Sequence, residues 1–249
     1  MNDLGAQLYT VRKYLDTPGN IQNTLLKIKD IGYTSVQLYG SIELASAFAK
    51  GAKAAEIAIS GILAELEDYE SNLSLYLQLC DAYQIPDLSI SGFLTEAEDV
   101  APYIRRVNAV AEKIRTHGLT FSYHNHADEF IKMPDGKTIM DHYIEGFDPD
   151  LVDFMPDTFW LHKGGCDVRH MLERLHGRVK TLHLKDLKHT KDGQTFAEIG
   201  NGNLYFPGII PMALAQGITQ FVVEQDECDG DPLDSLKQSF AYIQALHLL

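Results

Sequence analysis

The feature that most constrains the fold of this chain is an alternation of short strand-like runs with helical patterns. Eight runs are rich in β-branched and aliphatic residues and lie near turn residues, which is typical of strands. They cover residues 4–9, 35–39, 57–62, 88–91, 119–124, 152–155, 181–184 and 220–224. Apolar residues at helical spacing lie between them, as at Ile21, Leu25 and Ile28 before Gly32 and in the stretches 100–114, 209–215 and 233–246. Strand–helix alternation of this kind predicts a parallel sheet.

The strand count selects one fold within the α/β class. Eight strand–helix units in 249 residues predict a single (β/α)8 TIM barrel, because such barrels run to about 250 residues as one domain. We therefore expect one domain over residues 1–249, with no linker. The alternative is a doubly wound open sheet. Its dinucleotide-binding form has no support, since Thr10-Val11-Arg12 follows the first run where a glycine-rich turn would stand.

Charge and composition exclude several classes of partner. The net charge is −14, and binding to nucleic acid needs a basic surface, so we expect no nucleic-acid partner. No apolar run approaches the roughly 18 residues of a transmembrane helix, so we expect no membrane partner. The start of the chain lacks a basic region and a long apolar region, and the three cysteines (Cys80, Cys166 and Cys228) lie far apart. These features predict a cytoplasmic protein without a disulfide framework.

Polar residues end the last four strand-like runs. In a parallel barrel, active groups lie at the carboxyl ends of the strands, where this chain has His124, Asp157, His183 and Glu224. Nitrogen and oxygen donors of this kind suit a divalent ion such as Mn²⁺, Zn²⁺ or Co²⁺. Structural roles are the alternatives: His124 and His126 as a hydrogen-bonded pair, Asp157 as a helix N-cap, His183 as a core histidine. Glu224 follows an apolar run, where burial without a partner is costly.

Four further residues near these strand ends are candidates for a functional role. Lys185, next but one to His183, favours a functional role for this segment. Trp160 either packs in the core or stacks on a sugar face. Glu198 begins a glycine-containing loop that either closes over a ligand or forms an ordinary turn. Glu129 is either a second carboxylate or a helix-cap partner.

These motifs resemble those of the sugar isomerase/epimerase superfamily with the xylose isomerase-like TIM barrel. That superfamily includes inosose dehydratase, tagatose/psicose 3-epimerases and endonuclease IV. The similar segments occur in family order and span nearly the whole chain. They are residues 7–12, 31–38, 123–126, 157–160, 183–186, 198–202 and 223–224.

The resemblance implies a ligand set with one departure. Asp157, His183 and Glu224 match three metal ligands of the family by position. The fourth ligand is usually a glutamate at the end of strand five, where this chain has His124. The family's epimerases use two carboxylates on opposite faces of the substrate. The departure therefore leaves three alternatives: metal binding through His124, Glu129 as the missing carboxylate, or weak metal binding.

The leading hypothesis is a metal-dependent isomerase or epimerase acting on a keto-sugar or cyclitol. Glu224 would be the general base that takes the proton α to the carbonyl. His126 or Lys185 would donate hydrogen bonds or protons to sugar oxygens, with Glu129 as a further catalytic candidate. The candidate substrate contacts are Tyr9, Trp160, Glu198 and Asn125.

Three alternatives belong to other functional classes. Expulsion of a β-hydroxyl from the same enediolate would make the enzyme a dehydratase, a lyase. A barrel that has lost its metal would be a non-catalytic sugar-binding protein. Endonuclease IV carries a histidine three positions after the strand-six aspartate; Trp160 stands there in this chain, which together with the charge disfavours a nuclease. Members of the superfamily are often dimers or tetramers. The largely apolar residues 245–249 would lie at the interface of such a homo-oligomer or pack onto the barrel floor.

Overall fold

Eight parallel strands form the centre of the protein. The computed structural model describes residues 3–92 and 97–249, without the side chains of residues 97 and 98. The barrel strands are β1 (Asp3–Gln7), β2 (Ser35–Tyr39), β3 (Ala58–Ala64), β4 (Asp87–Ser91), β5 (Thr120–His124), β6 (Asp153–Met155), β7 (Thr181–Leu184) and β10 (Gln220–Val223). Their spatial order is β6-β5-β4-β3-β2-β1-β10-β7, and neighbours pair in parallel. Isolated parallel bridges from Phe154 to Val179 and from Asp157 to His183 link β6 to β7.

The ring is therefore a nearly closed (β/α)8 TIM barrel, and the predicted fold class is confirmed. Helices lie between the strands: α1 (Pro18–Ile31), α2 (Ile42–Ala55), α3 (Leu66–Tyr83), α4 (Ala97–Arg115), α5 (Ile139–Gly146), α6 (Thr158–Lys163), α7 (Val168–Arg174), α8 (Phe206–Ala215) and α9 (Pro232–Ala245). Short 3-10 helices cover Leu8–Tyr14 and Asp128–Phe130. No helix of the described residues has both the length and the apolar character needed to span a membrane. The single-domain extent of residues 1–249 and the cytoplasmic location stay predictions.

Local signals explain the ends of α1. The Thr17 side chain accepts a hydrogen bond from the Asn20 N–H, and Pro18 stands in the first turn, where a missing N–H costs nothing. Gly32 ends the helix with φ of +123°. A Cβ at that position would lie 2.4 Å from the Phe240 ring. Glycine is needed there both for its backbone freedom and for this close approach.

Two local features differ from the sequence prediction. The first strand ends at Gln7 rather than Tyr9, because the Gln7 side chain accepts the Tyr9 N–H at 3.2 Å and starts a 3-10 helix. An antiparallel hairpin of β8 (Asp186–Thr190) and β9 (Gly193–Ala197), which the sequence did not predict, lies between β7 and α8. Its strands are largely polar and partly exposed, so they lack the apolar runs by which the barrel strands were found.

A buried carboxylate lies at the opposite end of the barrel from the rim described below. Asp87 begins β4 and is 3% exposed. Its Oδ1 accepts hydrogen bonds from the hydroxyls of Thr120 (2.6 Å) and Ser122 (3.0 Å). Burial nevertheless raises the pKa of Asp87 to about 7.

We expect Asp87→Asn to stabilise the protein at neutral and higher pH. The unfolded aspartate has a pKa near 3.9, so the folded chain holds this proton more tightly. The resulting stability is present below about pH 4 and is lost as pH rises through about 7. Asparagine keeps an oxygen for Thr120 and Ser122 without a charge. The free energy of unfolding at about pH 8 should rise by a few kcal/mol at most.

Urea denaturation at about pH 5 and pH 8 measures this difference. Asp81→Asn, an exposed position on α3, is the matched control. The explanation is wrong if Asp87→Asn loses as much stability between the two pH values as the wild type and the control.

Candidate metal centre and adjoining cavity

The four candidate ligands come together at the carboxyl-terminal rim. His124 is the last residue of β5, and Asp157 lies just past β6. His183 of β7 pairs in register with Val222 of β10, and Glu224 follows that strand. The parallel bridge between Asp157 and His183 fixes the β6 side against the β7 side.

The ligand atoms of these four residues all lie within 4.8 Å of one another. Nε2 of His124 is 3.4 Å from Oδ2 of Asp157. Nδ1 of His183 is 3.1 Å from Oε2 of Glu224 and 3.9 Å from Oδ2 of Asp157. All four residues are buried. Two imidazole nitrogens and two carboxylate oxygens at this spacing could bind a divalent metal ion.

Asp157 caps a helix with one carboxylate oxygen and faces the cluster with the other. Its Oδ1 accepts hydrogen bonds from the N–H groups of Phe159 (2.9 Å) and Trp160 (3.1 Å), so it is the N-cap of α6. Its Oδ2 faces the cluster. Asn125 donates no hydrogen bond to this carboxylate; its Oδ1 accepts the Asp157 N–H at 3.1 Å. Asn125 thus holds the backbone of a candidate ligand.

Gln37 is a part of the site that the sequence analysis did not assign a role. Its Oε1 lies 2.7 Å from Nε2 of His183 and accepts the Gln7 amide at 2.7 Å. An amide oxygen only accepts, so Nε2 of His183 carries a proton. Nδ1 of His183 therefore faces the carboxylate oxygens of Glu224 and Asp157, which leaves this nitrogen as the candidate metal-ligating atom of the ring. In the sequence, the available signal was a glutamine between the apolar residues Val36 and Leu38 of this strand.

Lys185 lies beside the cluster and is 1% exposed. Its Nζ forms ion pairs with Oδ2 of Asp157 (3.0 Å), Oε2 of Glu224 (2.9 Å) and Oδ1 of Asp226 (2.8 Å). Burial alone would raise the pKa of Glu224, but Lys185 and His183 hold it well below its usual range. The pKa of Asp157 is likewise lowered, because Lys185 and His124 outweigh its burial. Burial raises the pKa of Asp226 to about 6.

A cavity of about 380 Å³ opens onto this cluster. Of the predicted site residues, His124, His126, Lys185, Glu224 and Tyr9 line it. It extends toward the ends of β1, β2 and β3. The lining on that side, which the sequence analysis did not identify, includes Tyr39, Leu63, Glu65 and Asp68.

The electrostatics of the cavity are acidic. Glu65, Asp68, Glu224 and Asp226 line it, and Lys185 is the one lining residue of the described chain with a permanent positive charge. Burial lowers the pKa of His124, and burial with the charges of its neighbours lowers the pKa of His126 to about 3. Both rings are therefore neutral at neutral pH.

Several predicted substrate or catalytic residues do not line the cavity. Trp160 packs behind His126, with ring centroids 5.2 Å apart. Glu129 accepts hydrogen bonds from the Tyr123 hydroxyl (2.7 Å) and the His126 N–H, and burial raises its pKa to about 7. Glu129 thus supports the backbone of His126. Its catalytic role stays a prediction.

Glu198 lies outside the cavity lining as well. Its carboxylate accepts the Ser235 hydroxyl at 2.8 Å. The loop after it is held by Asp186, which accepts the N–H groups of Gly200 (2.9 Å), Gly202 (3.0 Å) and Leu204 (3.1 Å). These bonds favour the ordinary-turn interpretation of the loop over closure on a ligand.

Comparison with known proteins places these features in one family. A family model described as xylose isomerase-like TIM barrel matches residues 25–246. An inosose dehydratase from Salmonella agona (strain SL483) is 24% identical over 160 residues, which cover 56% of this chain and 52% of that protein. The chain therefore matches about half the length of this curated relative.

Solved structures share the fold. A sugar phosphate isomerase/epimerase from Parabacteroides distasonis ATCC 8503 has a TM-score of 0.79 at 22% identity, covering 98% of this chain and 94% of that one. A xylose isomerase-like TIM barrel protein from Mycobacterium smegmatis in complex with magnesium has a TM-score of 0.77 at 17% identity, covering 99% and 96%.

Proposed function

The chain belongs to the xylose isomerase-like TIM barrel family, and on that premise we propose that it is a metal-dependent enzyme acting on an uncharged keto-sugar or cyclitol. The proposed reaction removes the proton α to the substrate carbonyl and forms an enediolate, which is reprotonated in an isomerisation or epimerisation. The observation that carries the proposal is the buried cluster of two histidines and two carboxylates at the end of a sugar-sized cavity.

The proposed metal ligands are His124, Asp157, His183 and Glu224. A divalent ion held there would polarise the carbonyl and stabilise negative charge on the substrate oxygens. Mn²⁺, Zn²⁺ and Co²⁺ suit the mixed nitrogen and oxygen donors, and the magnesium complex of the related barrel adds Mg²⁺ to the ions to be tested.

Glu224 is the proposed general base. It is ionised at neutral pH and lines the cavity. His126, neutral and also on the cavity wall, would donate a ring N–H to a sugar oxygen. Lys185 would donate hydrogen bonds to sugar oxygens and stabilise developing oxyanions. Tyr9 would contact an apolar face of the sugar.

The charge of the cavity favours a substrate without phosphate. Four carboxylates line it, and the ammonium of Lys185 is already paired with three of the carboxylates around it. Phe93, Leu94, Thr95 and Glu96, which lie outside the described residues, carry no basic side chain. A phosphate would therefore meet like charge, whereas hydroxyl groups can donate to the carboxylates.

A dehydratase is the second candidate. The two-base epimerases of the family place a carboxylate where this chain has His124, and Glu129 does not line the cavity. One carboxylate base facing a neutral histidine suits loss of a β-hydroxyl: Glu224 takes the α-proton, and the hydroxyl leaves as water with a proton from Glu224 or bulk solvent. The neutral His126 would donate only a hydrogen bond to the leaving oxygen. The inosose dehydratase relatives support the same alternative.

Exchange of the substrate α-proton in D₂O tests the proposal for both outcomes. Purified protein is incubated with each divalent ion and with neutral ketoses, inososes and the matching ketose phosphates, and products are identified by NMR. We expect metal-dependent deuterium incorporation or water loss with an uncharged substrate, and weaker activity with its phosphate. Absence of both reactions with every substrate, while the protein holds metal, would favour the non-catalytic sugar-binding barrel.

The hydrogen bond between Gln37 and His183 allows a separate test of His183 as a metal ligand. We expect Gln37→Leu to weaken metal binding by about 10–100-fold. Removal of the partner that holds the protonated nitrogen of a ligating histidine typically lowers metal affinity by this factor. Calorimetric titration with Mn²⁺ measures it. Gln84→Leu, at the end of α3, is the control for a glutamine far from the site, and equal affinities of the two variants would refute the role of Gln37.

A further inference from the structure

Lys185 contacts the same oxygen atoms that face the candidate metal ligands. Its ammonium is 3.0 Å from Oδ2 of Asp157 and 2.9 Å from Oε2 of Glu224. Those two oxygens also face Nε2 of His124 (3.4 Å) and Nδ1 of His183 (3.1 Å). In the absence of a metal ion, the ammonium is therefore the cation that keeps the two buried carboxylates together.

Asp157 cannot serve both cations equally well. Its Oδ1 is occupied by the two N–H groups at the start of α6, which leaves Oδ2 as the oxygen available to the cluster. A divalent ion on that oxygen would lie within a few ångströms of the ammonium, where like charges repel strongly in a buried site. Metal binding therefore requires the ammonium to move away from Asp157.

Asp226 is positioned to receive the ammonium. Its Oδ1 is 2.8 Å from Nζ of Lys185, and it lies two residues beyond Glu224. Its side chain is 18% exposed, compared with 0% for Asp157 and 6% for Glu224. The Arg12 guanidinium donates to its backbone oxygen at 2.6 Å and fixes that segment.

The charges balance after such an exchange. Three carboxylates and one ammonium leave the site with a net charge of −2. A divalent ion neutralises Asp157 and Glu224, and Lys185 with Asp226 forms a second neutral pair. The neutral His124 adds no charge to this balance, whereas the glutamate usual in the family would add one negative charge.

We propose that Lys185 is a resident counter-cation that a divalent metal ion displaces from Asp157 and Glu224 onto Asp226. This inference rests on the proposed metal site. It makes Lys185 and Asp226 positioning residues that set the affinity of the site for metal.

A double-mutant cycle tests the exchange through metal affinity and stability, with no need for a substrate. The variants are Lys185→Met, Asp226→Asn and the double variant, each titrated with Mn²⁺ by calorimetry and heated with chelator or with Mn²⁺. We expect Lys185→Met to bind Mn²⁺ about tenfold tighter or more, because the competing charge is gone. It should also melt at a lower temperature than the wild type in chelator and gain more from Mn²⁺, since its buried carboxylates then lack a counter-ion.

Asp226→Asn should bind Mn²⁺ about tenfold more weakly, because the displaced ammonium has lost its acceptor. In the double variant this weakening should vanish, since no ammonium remains to be held. Asp226→Asn alters a partly exposed side chain, so the test stands even if Lys185→Met folds only with metal.

Two results would overturn the exchange: Lys185→Met binding no tighter than the wild type, or Asp226→Asn weakening affinity equally in the presence and absence of Lys185. The latter would mean that Asp226 acts only through its charge. A wild-type protein that binds no divalent ion is a different outcome, because it overturns the proposed metal site itself and this inference with it.

Discussion

Replacement of Glu224 by glutamine is expected to lower turnover by about 10³-fold, within the range of general acid–base catalysis. Glutamine keeps an oxygen at the position that faces His183 but cannot accept the α-proton. Deuterium exchange at the α-carbon should be lost together with product formation. The assay is run at saturating Mn²⁺, so that any loss of metal affinity does not lower the rate.

Glu112→Gln is the matched control for this variant. Glu112 is exposed on α4, and the same change there should leave turnover within about twofold, as exposed substitutions away from a site usually have little effect. Unchanged proton exchange in Glu224→Gln would exclude Glu224 as the base.

Replacement of Asp157 by asparagine is expected to have the largest effect on metal binding. The asparagine oxygen can keep the two hydrogen bonds that cap α6, and so the change isolates the charge of Oδ2. Loss of a supporting partner alone costs about 10–100-fold in affinity, and loss of a ligand charge should cost more than about 100-fold. Calorimetric titration with Mn²⁺ gives the value.

Asp167→Asn is the matched control, because it makes the same chemical change at a helix cap outside the candidate metal site. Asp167 is exposed and caps α7 by accepting the His170 N–H at 2.9 Å. We expect this variant to bind Mn²⁺ as the wild type does. Equal affinities for all three proteins would show that Asp157 is a helix cap and no ligand.

The sequence predicted the barrel because eight short apolar runs alternate with helical patterns. The eight barrel strands lie within two residues of the predicted limits at each end. The hairpin of β8 and β9 was not predicted, because it is held by backbone pairing between largely polar, partly exposed residues. A pattern of apolar periodicity carries no information about such a segment.

The candidate site was predictable where one residue acts at the end of one strand. His124, Asp157, His183 and Glu224 were found in this way. The partners that depend on packing between distant segments were not: Gln37 reaches His183 across the barrel, and Asp226 is joined to the cluster through Lys185. For the same reason the sequence placed Glu198 and Trp160 at the substrate, whereas their side chains do not line the cavity.

The two histidines and two carboxylates at the rim are proposed to form a metal centre. Elemental analysis of the purified protein by mass spectrometry, before and after dialysis against chelator and reloading, tests it most directly. We expect close to one divalent ion per wild-type chain after reloading and a large loss of that ion in Asp157→Asn. A wild-type protein that carries no divalent ion after reloading would contradict it.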